Sequence, residues 1–191
     1  MSKQGVDISK WQQGIQLKDL KNAGYEFAVL RGGYTGFGKA REKNKDKCFD
    51  DFYSQAKECD LPIGVYYYSC ANTKQGGIDE ANFLYENCLK GRKFEYPIYI
   101  DVEDAQWQLN NKKDVTDAII GFCETLESKQ CFVGVYTSLS WFKYCIETSR
   151  LSAYTKWVAA CRDEKPTFEW NAFDLWQKSN CTPFGKYPID V

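Results

Sequence analysis

Histidine is absent from all 191 residues. That gap removes Ser-His and Cys-His nucleophile pairs, histidine-ligated metal and the commonest general base, so acid/base work near neutral pH falls chiefly to carboxylates. Charge of either sign is also not in excess. The 25 Lys and Arg stand against 26 Asp and Glu, a formal net charge of −1, so no overall basic field draws the chain to nucleic acid or anionic lipid. No stretch approaches the roughly 20 apolar residues that cross a bilayer, and the opening MSKQGVDISKW lacks the apolar run of a secretory signal. Nucleic-acid partners and membrane insertion are therefore not expected. The 9 cysteines form no C-x-x-C pair and are odd in number. They read as free thiols, mostly small core hydrophobes, in a protein made in a reducing cytoplasm.

What is present is a regular alternation. Short runs rich in β-branched and aromatic residues recur between helix-like segments, the pattern of βα units and a mainly parallel sheet. The expected strands are Gly5 to Ser9, Glu26 to Arg31, Pro62 to Ser69, Pro97 to Glu103, Phe132 to Thr137, Lys156 to Cys161, Ala172 to Gln177 and Tyr187 to Asp190. Helical periodicity is clear through Cys48 to Ala56 and Ile78 to Cys88. It is clearest at Val115, Ala118, Ile119, Phe122, Cys123 and Leu126. Weaker signals lie at Leu17 to Ala23 and Ser138 to Glu147. Beyond about residue 150 the gaps are too short for crossover helices. The expected fold class is α/β, a shortened TIM-like barrel of five βα units followed by three further strands, since a full barrel takes about 250 residues. An open doubly wound sheet is the competing architecture. No linker or repeat divides the chain, so residues 1–191 read as a single domain. The charged run Lys39 to Lys47 reads as a solvated loop entering a helix.

Pro97-Ile-Tyr-Ile-Asp-Val-Glu103 carries the sharpest chemical signal. Alternation puts Tyr99, Asp101 and Glu103 on one face and Ile98, Ile100 and Val102 on the other. In a helix-covered barrel the aliphatic face lies outward, so both carboxylates point inward at the carboxyl end of a strand, where barrel enzymes hold their catalysts. Same-face neighbours lie roughly 6.5 to 7 Å apart, close enough for each charge to perturb the other. Gly5-Val-Asp-Ile-Ser9 and Tyr187-Pro-Ile-Asp190 repeat the arrangement, and Asp7 and Asp190 should meet where the first and last strands adjoin. Four converging carboxylates are costly unless they bind a cation, share protons or face a positively charged transition state. An all-oxygen magnesium or calcium site and the oxocarbenium-like state of glycoside cleavage both satisfy that condition.

Flat aromatic rings at expected strand ends favour sugar, and Tyr34, Tyr68, Trp107, Tyr136 and Trp176 are the candidate substrate-binding residues. The segment Gly33 to Ala40 approximates a phosphate-binding loop, but Ala40 lacks the metal-holding hydroxyl and Tyr34 and Phe37 crowd the turn. Its glycines read as a tight turn after the second strand.

The chain resembles the muramidases of glycoside hydrolase family 25, the lysozymes of phage endolysins and bacterial autolysins. The resemblance rests on Gly5-Val-Asp-Ile-Ser-Lys-Trp-Gln12, Phe27-Ala-Val-Leu-Arg-Gly-Gly-Tyr-Thr-Gly36, Ile63-Gly-Val-Tyr-Tyr-Tyr68, Ile100-Asp-Val-Glu103, Gly134-Val-Tyr-Thr137, Leu175-Trp-Gln177 and the closing Ile-Asp190-Val, spread in order over nearly the whole chain. It implies hydrolysis of the β-1,4 bond between N-acetylmuramic acid and N-acetylglucosamine in peptidoglycan, without metal or other cofactor. It implies that Glu103 is the general acid, Asp101 its partner, and Asp7 and Asp190 the remainder of an acidic ring. Asp101 either orients an attacking substrate N-acetyl group, the favoured reading, or directs water or acts as nucleophile. The alternative function is a catalytically silent carbohydrate-binding barrel. A monomer is the default expectation; the many cysteines and the missing signal point to synthesis in the host cytoplasm and action on the wall after release, and, since many relatives carry one, a C-terminal wall-binding module is expected to be absent from this chain.

Overall fold

The computed structural model describes residues 2–36, 40–104, 111–162, 164–167, 173–179 and 182–191. Its elements are β1 (Gly5–Ile8), α1 (Leu17–Asn22), β2 (Phe27–Thr35), β3 (Lys43–Lys45), α2 (Phe49–Glu58), β4 (Ile63–Tyr68), α3 (Lys74–Leu84), β5 (Ile98–Asp101), α4 (Lys112–Glu127), β6 (Val133–Ser138), α5 (Leu139–Tyr144), β7 (Thr155–Ala159), β8 (Leu175–Gln177), β9 (Thr182–Phe184) and β10 (Tyr187–Ile189). Seven parallel strands run in the order β1-β2-β4-β5-β6-β7-β8, with β3 antiparallel on the end of β2. Each of β1, β2, β4, β5 and β6 is followed by a helix, and β7 and β8 are not followed by one among the described residues. This is the expected shortened barrel of five βα units.

The expected eighth barrel strand is corrected. Tyr187–Ile189 pairs antiparallel with Thr182–Phe184 in a separate hairpin, and meets β1 only at a single antiparallel bridge from Asp7 to Asp190. The cause is chain length: a parallel partner needs a crossover of a dozen or more residues, and the few residues after Gln177 permit only a tight reversal. The seam between β8 and β1 is therefore closed by Asp7 N–H donating to Asp190 O at 3.0 Å and by side chains.

Alternation along the strands builds two cores. Ile98, Ile100 and Val102 face outward into the layer under the helices, with Leu30, Val65, Phe122 and Leu126. Phe27, Val29, Tyr99, Tyr136 and Trp157 fill the barrel interior. Trp157 is the plug, its ring centre 4.4 Å from Tyr136, 5.2 Å from Tyr99 and 6.1 Å from Tyr66. Helix α4 buries the apolar stripe read from its periodicity. It packs against α3 backbone to backbone, because a Cβ at Gly77 would lie 2.0 Å from Ala118 O and one at Gly121 would lie 2.4 Å from Lys74 O.

Two further expectations change. Strand β2 continues past Arg31 through Gly32, Gly33, Tyr34 and Thr35, so Gly33 lies within the strand and the chain reverses only after Thr35, toward antiparallel β3. Its register against β4 shifts between Arg31 and Gly33. Gly33 is required there because a Cβ would sit 2.6 Å from Asn44 O, where β3 crosses. The run Lys39 to Lys47 also departs from a solvated loop. Lys43–Lys45 is β3, and Asp46 is 1% exposed. Phe37, Gly38 and Lys39, part of the approximate phosphate loop, lie outside the described residues.

Candidate active site

Three of the four acids lie on or just past the parallel strands β1 and β5, and the fourth, Asp190, follows the β9–β10 hairpin. Asp101 ends β5 and is 3% exposed, whereas Glu103, two residues on, is exposed at the mouth. Asp7 lies on β1 at 9% exposure, and half-buried Asp190 faces it across the seam. Gln177, the last residue of β8, donates Nε2–H to Asp7 Oδ2 at 2.8 Å and accepts Tyr136 O–H on Oε1 at 2.6 Å. This Tyr136–Gln177–Asp7 chain ties β6, β8 and β1 together, and Gln177 is a member of the site that sequence reading missed.

All four carboxyls are displaced upward from their ordinary range. Burial pushes Asp7 well up, Asp190 and Glu103 add repulsion, and the Gln177 hydrogen bond and the Arg31 guanidinium oppose them. Burial likewise pushes Asp101 well up, followed by the charges of Glu103 and Asp7, with Arg31 opposing. Partial burial and then the Asp190 charge raise Glu103, and burial raises Asp190. Such a ring holds protons at pH values where isolated carboxyls have lost them. One Asp101 oxygen, Oδ1, is buried without a hydrogen-bond partner among the described residues. A buried acceptor left open is costly unless something supplies a donor.

A β-bulge delivers the cationic side of the mouth. Because one residue is added at Gly32, Arg31 pairs with Tyr66 and Tyr34 pairs with Tyr68, so Arg31 and Tyr34 face the same side although three positions apart. The Arg31 guanidinium sits 5.1 Å from the Tyr34 ring centre. Buried Asp46 holds it: Oδ2 accepts Arg31 Nε–H at 2.7 Å and Lys10 N–H at 3.0 Å, while Oδ1 accepts Cys48 N–H at 2.9 Å. Lys10 Nζ in turn lies 4.7 Å over Tyr34 and 5.0 Å over Trp11, which is 73% exposed. That indole is presented on a 3-10 turn fixed by reciprocal capping between Ser9 and Gln12.

A second buried carboxylate braces the strand ends from outside. Glu80 of α3 accepts Thr35 O–H at 2.6 Å, Ser69 O–H at 2.5 Å and Cys70 N–H at 3.1 Å. Ser69 N–H donates to Asp101 O at 2.9 Å, so the brace reaches the backbone of the acid itself.

Of the aromatic candidates, half-buried Tyr68 pairs in register with Asp101, and its hydroxyl is pushed up by burial and by the charges of Asp101 and Asp104. Tyr34 stands on the rim. Tyr136 is 8% exposed and forms the floor of the mouth, not an open stacking face. Trp176 is corrected: alternation on β8 turns it away from Gln177 into the outer layer, where its Nε1–H donates to Ala160 O at 2.9 Å. Trp107 lies outside the described residues. Among the described residues no group of three or more Cys, Asp or Glu is placed to hold a metal ion.

The family model for glycosyl hydrolases family 25 matches residues 6–185. The chain is 26% identical over 167 residues to the autolytic lysozyme of Clostridium acetobutylicum, covering 86% of this chain but 47% of that protein. It is 27% identical over 180 residues to the probable GH family 25 lysozyme 2 of Dictyostelium discoideum, covering 90% and 78%. The chain thus spans about half the length of the clostridial relative. Among solved structures, the CTP1L endolysin superposes with a TM-score of 0.84 at 24% identity, covering 99% of this chain and 65% of that one. The bacterial lysozyme of Streptomyces coelicolor superposes at 0.81 and 22% identity, covering 100% and 90%. At these identities the superpositions bear on the fold.

Proposed function

The chain belongs to glycosyl hydrolases family 25, and from that premise we propose that its acid ring hydrolyses the β-1,4 bond between N-acetylmuramic acid and N-acetylglucosamine in peptidoglycan, as a lysozyme. The observation that carries the reading is Asp101, buried at the end of β5 with an open oxygen, two residues from an exposed carboxyl whose proton is held by its surroundings.

In this reading Glu103 protonates the leaving glycosidic oxygen. Asp190 helps keep that proton in place, since its negative charge raises Glu103. The open Asp101 oxygen accepts the N–H of the substrate acetamido group. That contact aims the acetamido oxygen at the anomeric carbon and offsets the positive charge that develops there. Glu103, now deprotonated, takes a proton from the water that resolves the intermediate. Asp7, fixed by Gln177, completes the negative field, and Arg31 keeps that field from protonating every member of the ring. Tyr34 and Tyr68 are proposed as stacking faces for the sugar, with Trp107 in the same role by motif. No metal or cofactor enters, so activity should survive EDTA.

We further read the protein as acting as a monomer on bacterial walls after release from the cytoplasm in which it is made. The eight described cysteines are all free thiols, which supports synthesis in a reducing compartment.

The test is digestion of purified peptidoglycan by wild type and Glu103→Gln, then borohydride reduction and mass spectrometry. Reduced muramic acid ends from the wild type alone support a muramidase. Reduced glucosamine ends would make it a glucosaminidase, and no new ends from any wall would favour the silent sugar-binding barrel.

A further inference from the structure

A cleft of about 340 Å³ opens at the same end of the barrel as the acids, beyond the C-termini of β6 and β7. Its wall comprises Ser138 at the end of β6, Ser140 in the first turn of α5 and Lys143 and Tyr144 in its last, and Ala160 and Arg162 after β7. Among the described residues no acidic side chain lines it. Lys143, Tyr144 and Arg162 are exposed, and among the described residues no carboxylate lies within salt-bridge distance of either cation. Two cations thus face one cleft with no carboxylate against either among the described residues. Ser138 and Ser140 add two hydroxyls 2.9 Å apart.

The cleft is joined to the acid ring through backbone. Ala160 N–H donates to Gln177 O at 3.0 Å, Trp176 Nε1–H braces Ala160 O from behind, and the Gln177 side chain holds Asp7. Strand β6 is the neighbour of β5 and β7 the next, so at about 4.8 Å per strand the cleft lies roughly 5 to 10 Å to the side of Asp101. That offset answers an electrostatic difficulty. A mouth ringed by four carboxyls repels an anionic polymer, unless the polymer's neutral sugars lie over the acids and its charges lie over cations beside them.

We propose that this cleft is a subsite for the carboxylates of the peptides attached to the glycan, which Lys143 and Arg162 engage by charge and Ser138 and Ser140 by hydrogen bonds. The assignment rests on the peptidoglycan reading above. It makes the enzyme selective for peptide-bearing glycan over bare glycan of the same sugars.

The test compares wild type with Lys143→Met/Arg162→Met on an intact wall and on the same wall stripped of peptides by an amidase. Both side chains are exposed and without ion pairs among the described residues, so the variant should fold as the wild type does. The expected result is a KM raised about threefold to tenfold on intact wall and unchanged on stripped glycan. An unchanged KM on intact wall, or an equal rise on both substrates, overturns the proposal. A second arm needs no turnover: a synthetic stem tetrapeptide with free carboxylates is titrated into the isotopically labelled protein. Amide shifts at Ser138, Ser140 and Arg162 that vanish in the variant support the subsite, and their absence at millimolar peptide overturns it. If the peptide binds but neither substrate is cut, the hydrolase reading fails and the subsite stands.

Discussion

Gln177 Nε2 donates to Asp7 Oδ2 at 2.8 Å, joining the last strand of the parallel sheet to the first across 170 residues of chain. Among the described residues this is the one polar side chain that opposes the upward displacement of Asp7 by a direct hydrogen bond. Gln177→Leu should raise the Asp7 carboxyl further and lower kcat about tenfold, the scale of a hydrogen bond to a charged group. A pH–rate profile checks this, and an unshifted profile with full kcat would show that Asp7 does not depend on the bond.

Glu103→Gln keeps the side chain's size and removes its proton. Turnover should fall by a factor of about 10² to 10⁴ with sugar binding retained, and Asp101→Asn should cost nearly as much. Initial rates on wall fragments together with a binding isotherm separate lost chemistry from lost affinity. Full activity in either variant would mean that the acid pair is misassigned.

The ring also sets a pH dependence of stability. A carboxyl raised in the folded state binds its proton more tightly there than when unfolded, so its contribution to stability is fully present below the ordinary carboxylate range and is lost as pH rises through the raised range. Asp101, raised well above its usual value, should show this strongly. Asp101→Asn should therefore melt higher than wild type near neutrality, by about 2 to 4 °C per kcal/mol relieved. The difference should vanish at pH values below the unfolded carboxyl's range. Paired melting curves from acid to neutral pH check it, and a gap that persists in acid would point to packing instead.

Glu80→Ala should strip the acceptor from two hydroxyls and one amide in a buried site. A loss of about 3 kcal/mol, or about 6 to 12 °C in Tm, is expected. Chemical denaturation measures it, and a change below about 0.5 kcal/mol would mean that water replaces the carboxylate at no cost.

Gly77→Ala sets two magnitudes against each other. Helix propensity favours alanine by about 1 kcal/mol, but its Cβ would meet Ala118 O at 2.0 Å. Overpacking costs about 1 to 3 kcal/mol and is met here by backbone, which yields poorly. Net destabilisation is expected from a urea titration, and stabilisation would show that α3 can move off α4.

Legibility from sequence tracks the range of the physics involved. Alternation within Pro97 to Glu103 is local, and it correctly separates the aliphatic outer face from the face bearing Tyr99 and Asp101. The helical stripe from Val115 to Leu126 is local too. Tyr34 lies on the mouth side only because of a bulge set by β3 crossing at Gly33, a contact no periodicity encodes. Asp46 is hidden by its neighbours, since a carboxylate between Lys45 and Lys47 looks solvated until Arg31 is seen to meet it. Gln177 and Trp176 exchange their expected importance for want of one fact, which of two adjacent residues faces inward on a three-residue strand. The hairpin of β9 and β10 follows from connection length, which was countable, but its pairing partner, Thr182–Phe184, contains a proline and reads as a loop.

The bridge from Asp7 to Asp190 also governs when activity can arise during synthesis. Three of the four acids are translated by residue 103, but the fourth is supplied at residue 190, and the backbone contact that seats Asp7 comes from the same residue. A nascent chain not yet translated through residue 190, or one released before it, lacks both. The cell that makes this protein thus assembles the acid ring only in chains translated through that position, and premature termination yields fragments without a complete site.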